Sequence, residues 1–426
     1  MKVVTIGGGS TYTPELMQGF LEGYEKLGLE ELVLVDIDRE RLEVVGGFAQ
    51  RMVMEASQPF RLLLETDLEK AIQDADVVTT QIRVGQMPAR KQDELLGKRW
   101  DLVGQETTGV GGMAKALRTV PVVLDLAQKM KRLCPHAWLI NFANPSGLIT
   151  EALQRYAPEI RSVGLCNSPL GYQMEVAKEI ELDDPFQVEL DYIGLNHLAW
   201  IWGARLGEQD LWETTFQRAL QEAEKEEDPP VSAKIMRRLG AICTYYLRYY
   251  YRTQSVLEKQ RKDGPTRADE VMAIEKKLLS QYADPDLTAM PPELMERGGA
   301  YYSTAAIRLM ESIVLDKKET HIVNTRHDGA VPGLPKDWVM EIPCVIDSNG
   351  AHPLPTKPLP LFAEGLLRTV KGVELLIAEA AQTGNRDAVL QALIAHPLGP
   401  DSDVAEEFLE DMLAVNKKYL LLFHES

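Results

Sequence analysis

The chain opens with Lys2-Val-Val-Thr-Ile-Gly-Gly-Gly-Ser10, an unbroken β-branched run that stops at three glycines. Such a run is typical of a strand buried on both faces, and a helical pattern begins just after it, at Pro14. Strand, glycines and helix are together the context of a dinucleotide-binding turn, because glycine lets backbone N–H groups approach a pyrophosphate. The match is incomplete, since Tyr12 stands where the third glycine of the fingerprint is usual. A plain tight turn is the alternative interpretation.

A second apolar run, Leu32–Asp36, strengthens the dinucleotide interpretation. It ends in an acid placed to accept hydrogen bonds from the ribose hydroxyls of NAD, although the nearby Arg39 leaves NADP open. The series predicts an NAD site. Its candidate contacts are Gly7, Gly8, Gly9, Ser10, Thr11, Asp36 and Arg39.

Strand and helix patterns continue to alternate as far as the strand Ser162–Leu165. This alternation predicts an α/β fold, with an N-terminal Rossmann-like, doubly wound parallel sheet over residues 1–170. Residues 171–426 change character and predict a mixed α+β, largely helical domain, which we expect to carry substrate, metal and subunit contacts. Within it, Ser232–Leu257 and Ala268–Tyr282 each read as a long helix.

Composition narrows the class of partner. The 426 residues carry a formal net charge of −18, which disfavours nucleic acid and anionic membrane surfaces. The four cysteines are far apart and form no CxxC pair, so the pattern is that of a reduced, cytoplasmic protein and not of a disulfide framework. We find no secretory signal and no apolar run long enough for a membrane span.

Two positions stand out as candidate chemistry. Cys166 ends the strand of Ser162–Pro169, at the sheet edge where open α/β sheets bind ligands. It could be a nucleophile, a metal ligand or a small buried side chain. His197 lies in the apolar Gly-Leu-Asn-His-Leu, where a packed core histidine is the alternative to a ligand. Paired, thiolate and imidazole suggest zinc or another metal that tolerates soft ligands.

Other candidates are less specific. Glu106 lies in a glycine-rich loop that could equally be plain surface, and most tyrosines around Tyr246 should be core or interface. Arg90 and Arg267 could bind an anionic substrate or be ordinary surface charges. From residues alone, the set indicates a metal-assisted NAD dehydrogenase acting on a hydroxyl compound.

Several longer motifs point to one family. They are Ile-Gly-Gly-Gly-Ser-x-Tyr-Thr-Pro-Glu-Leu, Gly-Gln-Glu-Thr-Thr-Gly-x-Gly-Gly, Asn-Pro-Ser-Gly, Cys-Asn-x-Pro, Gly-Leu-Asn-His and Arg-Gly-Gly-x-Tyr-Tyr-Ser (Arg297–Ser303). Over nearly the whole chain they resemble glycoside hydrolase family 4, in particular its 6-phospho-β-glucosidases. The resemblance implies a route unlike that of two-carboxylate glycosidases. NAD⁺ takes the hydride from C3, a tyrosine removes the acidified C2 proton, the aglycone leaves C1, water adds and the hydride returns.

The resemblance also assigns roles. It makes Cys166 and His197 ligands of Mn²⁺ or another divalent metal, overriding the zinc suggested by ligand softness. It makes Tyr246 the base and Glu106 the acid that raises its basicity, both catalytic. The residues it implies for substrate contact are Arg90, Asn144, Asn167 and Arg267. Members that act on α-linked substrates have Cys-Asp where this chain has Cys166-Asn167, so Asn167 implies a β-linked substrate.

The implied substrate is a small phosphorylated β-glucoside such as cellobiose 6-phosphate, cleaved to glucose 6-phosphate and aglycone by a homodimer or homotetramer. The alternative is an NAD-dependent sugar-phosphate or hydroxy-acid dehydrogenase, which would accumulate NADH.

Overall fold

A computed structural model describes residues 1–262, 264–297 and 301–424. Within these residues, thirteen strands form one continuous sheet. They are β1 Lys2–Ile6, β2 Glu31–Val35, β3 Arg61–Glu65, β4 Val77–Thr80, β5 Trp138–Asn141, β6 Arg161–Gly164, β7 Val188–Leu195, β8 Leu198–Leu206, β9 Gln209–Asp210, β10 Ile242–Cys243, β11 Glu319–Arg326, β12 Val339–Asp347 and β13 Gly350–Pro353.

Sixteen α-helices accompany the sheet in the described residues. They are α1 Thr13–Leu27, α2 Arg39–Glu55, α3 Leu68–Ile72, α4 Gln86–Arg99, α5 Gly109–Leu133, α6 Ser146–Tyr156, α7 Ser168–Glu179, α8 Trp212–Lys225, α9 Ala233–Leu239, α10 Arg248–Tyr251, α11 Thr253–Arg261, α12 Arg267–Tyr282, α13 Tyr302–Val314, α14 Leu361–Thr383, α15 Arg386–Ala395 and α16 Ala405–Val415. None of the helices described is long and apolar enough to cross a membrane.

The first six strands are parallel and lie in the order β3-β2-β1-β4-β5-β6. This is the doubly wound order of dinucleotide-binding domains, with its switch point between β1 and β4. Adjacent residues of β1 belong to different cores: Val3 packs in one cluster with Phe20 and Phe48, and Val4 packs in another with Leu117. Both faces are therefore covered, which confirms the predicted Rossmann-like fold.

The sheet continues beyond β6 in antiparallel pairs, in the order β6-β11-β12-β7-β8-β10. The junction is a single pair between Asn324 of β11 and Gly164 of β6. A Cβ at Gly164 would lie 2.2 Å from Thr150 Oγ1, so only glycine allows β6 to pass this close to α6. Helices dominate the remainder of the C-terminal part, as the sequence predicts.

One predicted helix is wrong. Ser232–Leu257 is not continuous: α9 ends at Gly240, whose φ of +62° favours glycine and stops the helix. The short strand β10 and a 3₁₀ turn, Tyr245–Leu247, follow before α10. Tyr246 thus lies on a turn beside the edge of β8, and not on the face of a long helix.

Candidate active site

The turn after β1 is packed tightly against β2. The backbone N–H groups of Gly7 and Gly8 both donate to the Val35 carbonyl at 2.8 Å. The Gly9 N–H donates to Asp36 Oδ2, also at 2.8 Å, and a Cβ at Gly9 would fall within 2.8 Å of the same oxygen. The glycines are therefore required by close approach to β2 and to Asp36, and Gly7 also has a φ of +92°.

Beyond this turn, at the switch point, lies a cavity of 480 Å³ that we call the switch-point cavity. Its lining includes Gly7, Gly9, Ser10, Asp36, Arg41, Arg83, Lys115, Asn144, Glu275, Arg297 and Tyr302. Four of the seven predicted cofactor contacts are thus on its wall. Its size and position suit a dinucleotide.

The other three predicted contacts lie elsewhere. Gly8 is buried behind the wall, and Thr11 Oγ1 donates to Glu275 Oε1 at 3.1 Å. Arg39 extends into solvent, with 71 % of its side chain exposed. Arg41 reaches the cavity in its place, and its Nε donates to the Gly9 carbonyl at 3.2 Å.

Glu106 is the centre of a cationic cluster. It pairs with Arg83, its Oε2 is 2.8 Å from Lys115 Nζ, and its Oε1 is 3.1 Å from Arg90 Nη1. Burial raises the pKa of the Glu106 carboxyl, but attraction to Arg83, Lys115 and Arg90 outweighs it and holds that pKa well below 4.5. Burial, with repulsion from Arg83, lowers the pKa of Lys115 to about 7. Glu106 is therefore an anion at neutral pH.

Cys166, His197 and Tyr246 meet at the carboxyl edge of the sheet. Cys166 Sγ lies 3.8 Å from His197 Nε2, and the His197 ring stacks on Tyr246 with a centroid separation of 3.6 Å. On its other nitrogen, His197 Nδ1 is 2.9 Å from Thr107 Oγ1. His197 occupies a left-handed turn between β7 and β8, with a φ of +66°. Three distant segments thus converge here.

Burial controls the titration of this group. It lowers the pKa of His197 to about 3, so the imidazole is neutral. It raises the pKa of the Cys166 thiol to about 11 and that of Tyr246 well above 10. A neutral imidazole and a thiol 3.8 Å apart can share one ion, because ligand bonds are about 2.0–2.3 Å long in such sites. Among the described residues, no group of three or more His, Cys, Asp or Glu could hold a metal, which leaves this pair as the candidate.

A buried polar network lies next to the same centre. Glu341 on β12 accepts hydrogen bonds from Tyr192 Oη at 2.7 Å and from the side-chain amides of Asn196 and Asn324 at 3.0 Å each. Burial raises the pKa of Glu341, and these donors only partly offset it. Because Asn196 precedes His197, the network anchors the turn that carries the imidazole.

Comparison with known proteins identifies the family of this chain. Two family models match consecutive parts of the chain: family 4 glycosyl hydrolase over residues 2–182, and the family 4 glycosyl hydrolase C-terminal domain over residues 192–399. The chain belongs to glycosyl hydrolase family 4. A probable 6-phospho-β-glucosidase of Bacillus subtilis is 42% identical, covering 99% of this chain and 98% of its own. The 6-phospho-β-glucosidase of Escherichia coli is 38% identical over 99% and 96%.

A solved structure agrees over the same extent. The 6-phospho-β-glucosidase of Thermotoga maritima, with manganese, NAD⁺ and glucose 6-phosphate, superimposes with a TM-score of 0.92 at 36% identity, covering 98% of this chain and 99% of its own. The resemblance in the sequence motifs is thereby confirmed. Gly298 and Gly299 of the Arg297–Ser303 motif lie outside the described residues.

The predicted substrate contacts of this family 4 chain are only partly assembled. Arg90 bonds to Glu106, and Asn144 lines the switch-point cavity. Asn167 Oδ1 is 4.0 Å from Cys166 Sγ. Arg267 is not brought to them: half of its side chain is exposed, and its Nη1 bonds to Glu270 Oε2 at 2.8 Å.

Besides Arg41, sequence reasoning missed four further residues at the site. Arg83 and Lys115 bind Glu106, Arg297 lies on the cavity wall, and Thr107 contacts His197. A signal existed for two of them. Arg83 follows β4, at the carboxyl edge where ligands bind, and Thr107 is adjacent to Glu106.

Proposed function

We propose that this chain hydrolyses 6-phospho-β-glucosides, such as cellobiose 6-phosphate, to glucose 6-phosphate and an aglycone. The observation that carries the proposal is that a dinucleotide-sized cavity adjoins the Cys166–His197–Tyr246 group. Arg83 and Lys115 line the cavity, and both bond to Glu106. Thr107, next to Glu106 in the chain, places its Oγ1 2.9 Å from His197 Nδ1. A short series of contacts thus joins the two regions. The three relatives described above, which are 36–42% identical to this chain, are each named as a 6-phospho-β-glucosidase.

The switch-point cavity fits NAD. The Gly9–Asp36 contact leaves no room for a side chain beside the carboxylate, and Asp36 on the cavity wall is suited to accept from ribose hydroxyls. Near the other end, Asn144 Oδ1 is buried and has no hydrogen-bond partner among the described residues, so a polar ligand group could satisfy it. When bound, the cofactor supplies reversible hydride transfer at a sugar carbon.

We propose Cys166 and His197 as the protein ligands of a divalent ion such as Mn²⁺. The neutral His197 can donate its Nε2 lone pair, while Thr107 fixes the ring through Nδ1. The ion supplies Lewis acidity toward substrate oxygens. Cys166 must lose its proton to bind, because the thiolate is the ligand form.

Tyr246 is our candidate for the base that takes the C2 proton. Its hydroxyl has a pKa well above 10 because of burial, so the phenolate forms only where a positive charge is close. The Glu106 anion also raises the pKa of Tyr246, which makes the phenolate a stronger base once it exists. Replacing Tyr246 with Phe should lower kcat by about 10²–10⁴-fold, the usual contribution of a positioned base, in steady-state assays. Wild-type kcat in Tyr246→Phe would assign the proton transfer to another group.

Arg90, Asn144, Asn167 and Arg267 are the proposed substrate contacts. An arginine suits the 6-phosphate, because its planar fork matches a phosphate in two hydrogen bonds. Arg267 would have to exchange Glu270 for the substrate. Asn167 next to Cys166 favours a β-linked substrate, because it offers no acid to an α-linked leaving group.

The deciding experiment is hydrolysis of p-nitrophenyl 6-phospho-β-glucoside. Cleavage should need NAD⁺, Mn²⁺ and a reductant together, with no net NADH at completion. Cleavage that persists after exhaustive removal of both cofactors would overturn the redox route. Stoichiometric NADH without release of p-nitrophenol would instead favour the dehydrogenase alternative.

A second measurement isolates the proton transfer. Product formed in D₂O should carry deuterium at C2 of glucose 6-phosphate, because the proton removed there is replaced from solvent. Unlabelled product would exclude abstraction at C2, whatever the cofactor requirement.

We also propose the organisation of the enzyme. Residues 1–170 form the NAD-binding part and residues 171–426 the part for substrate, metal and subunit contacts, in a cytoplasmic homodimer or homotetramer. Sedimentation equilibrium would measure the state.

A further inference from the structure

Two cavities adjoin between Tyr246 and the helices α7, α8 and α9. The inner cavity, of 190 Å³, is lined by Ser168, Gly171, Tyr172, Glu175, Tyr192, His197, Thr244, Tyr245 and Tyr246. The outer cavity, of 280 Å³, lies among α7, α8, α9 and β10. They share three lining residues, Tyr172, Glu175 and Tyr245. Together they form a groove that runs outward from His197 and Tyr246.

The inner cavity contains a glycine that the packing of the chain does not require. Gly171 lies within α7, where glycine is less favourable than alanine. A Cβ added there would meet nothing within 4 Å. Gly19 and Gly23 of α1 differ, since a Cβ at either would lie 2.5–2.6 Å from α13. Gly171 lines the cavity that His197 and Tyr246 also line, so a larger side chain at this position would occupy that cavity.

The outer cavity has a charge that selects among ligands. Of its lining side chains, Glu175, Glu222 and Glu226 are acidic and Arg218 is basic. Arg218 is already paired with Glu179 at 3.1 Å and with Glu175 and Glu222 at 3.6 Å each. The groove is therefore rich in hydrogen-bond acceptors and repels anions.

We infer that this groove, the aglycone groove, binds the leaving group of the substrate, and that it favours a neutral, hydroxyl-rich aglycone such as a second sugar ring. The inference rests on the proposed function. Tyr172 and Tyr245 offer aromatic surfaces to the sugar, and Glu175 and Glu222 accept from its hydroxyls. The groove excludes anionic aglycones.

The inference is tested by substituting Gly171 with larger residues, which narrows the aglycone groove. Methyl 6-phospho-β-glucoside and cellobiose 6-phosphate, phosphorylated on the non-reducing ring, are compared by kcat/KM in the wild type, Gly171→Ala and Gly171→Leu. In Gly171→Leu, the disaccharide should lose at least about tenfold more kcat/KM than the methyl glycoside, because only the disaccharide fills the groove. Gly171→Ala should raise the melting temperature, which shows that this position tolerates a Cβ.

Gly372→Leu is the matched control. Gly372 is also a half-buried glycine within a helix, and an added Cβ there meets nothing within 4 Å, yet it lines neither cavity. In Gly372→Leu, the ratio of kcat/KM for cellobiose 6-phosphate to kcat/KM for methyl 6-phospho-β-glucoside should equal the wild-type ratio. Equal losses for both substrates in Gly171→Leu would overturn the inference and assign the inner cavity to the glucosyl ring. No loss of kcat/KM for either substrate would overturn it as well. A wild type that cleaves neither substrate refutes the proposed function itself.

A second comparison tests the charge. The wild type should prefer cellobiose 6-phosphate over 6-phospho-β-glucosyl gluconate by at least about tenfold, since the carboxylate of the latter faces Glu175 and Glu222. The double variant Glu175→Gln, Glu222→Gln removes two of the three acidic groups on the wall of the outer cavity and should narrow the preference. Equal cleavage of both substrates by the wild type would overturn the charge selection.

Discussion

Glu106 and Glu341 make an informative comparison, because both glutamates border the Cys166–His197 centre and burial pushes the pKa of each upward. Glu106 precedes Thr107, which contacts His197, and Glu341 holds Asn196, which precedes His197. Glu106 has three cationic partners and its pKa falls well below 4.5. Glu341 has a phenol and two amides, and its pKa stays raised.

The difference shows that partners, and not depth, decide the direction of the pKa shift of a buried carboxyl here. Cations stabilise the anion of Glu106 by attraction, whereas neutral donors return to Glu341 only part of the hydration that it lost. The Glu106 carboxyl is therefore an anion at neutral pH, whereas the Glu341 carboxyl is held by neutral donors.

The largest expected effect is that of Glu106→Gln. It leaves Arg83, Arg90 and Lys115 without their shared anion, and breaking a buried ion pair in this way costs about 3–5 kcal/mol of unfolding free energy. Urea unfolding would measure it. Glu224→Gln is the control, because the Glu224–Arg237 pair is half exposed and should change stability by less than about 0.5 kcal/mol. A loss as small as that of the control would mean that the cations do not depend on Glu106.

Glu341→Gln should cost less, about 1–3 kcal/mol, because no net charge is stranded but an amide N–H₂ now faces donors from Tyr192, Asn196 and Asn324. The same urea titration would measure it. A loss equal to that of Glu106→Gln would remove the distinction between the two carboxyls.

The smallest expected effect is the change with pH of the difference in unfolding free energy between the wild type and each variant. Its sign should differ between the two glutamates. The pKa of Glu106 is depressed, so its contribution is present above 4.5 and is lost as pH falls through its folded value. The gap between wild type and Glu106→Gln should therefore shrink on acidification. The pKa of Glu341 is raised, so its contribution is complete below 4.5 and is lost as pH rises through its folded value. The gap for Glu341→Gln should shrink as pH rises. Unfolding at about pH 3 to 8 gives both slopes, because the folded pKa of Glu106 lies well below 4.5. Slopes of the same sign would refute the comparison.

The sequence could predict those parts of the molecule whose determining residues lie within short stretches of the chain. The β1 turn and Asp36 are joined by hydrogen bonds across two neighbouring strands, so a local pattern suffices. Arg39 illustrates the limit. Asp38 caps α2 and so makes Arg39 its first residue, which leaves Arg41, and not Arg39, directed at Gly9. Composition and residue spacing do not show where α2 starts, and so they do not show which of the two arginines faces Gly9.

Longer-range errors have a different cause. The apolar spacing over Ser232–Leu257 suits a helix, and a glycine inside such a pattern is tolerated in many helices. Only the pairing of β10 with β8 decides that Gly240 ends α9 and that Tyr246 turns toward His197. The partners of Glu106 likewise come from α4, α5 and the segment after β4, which no spacing rule connects.

His197 lies in the left-handed region, with a φ of +66°, where glycine or asparagine would be more relaxed. With His197 as the proposed metal ligand, selection for stability and selection for catalysis therefore act on this position in opposite directions. In a library randomised at residue 197, survivors chosen for thermal resistance alone should drift toward glycine and asparagine. Survivors chosen for growth on a phosphoglucoside should keep histidine. The residue that each selection retains at this hairpin turn would thus show whether stability or activity was selected.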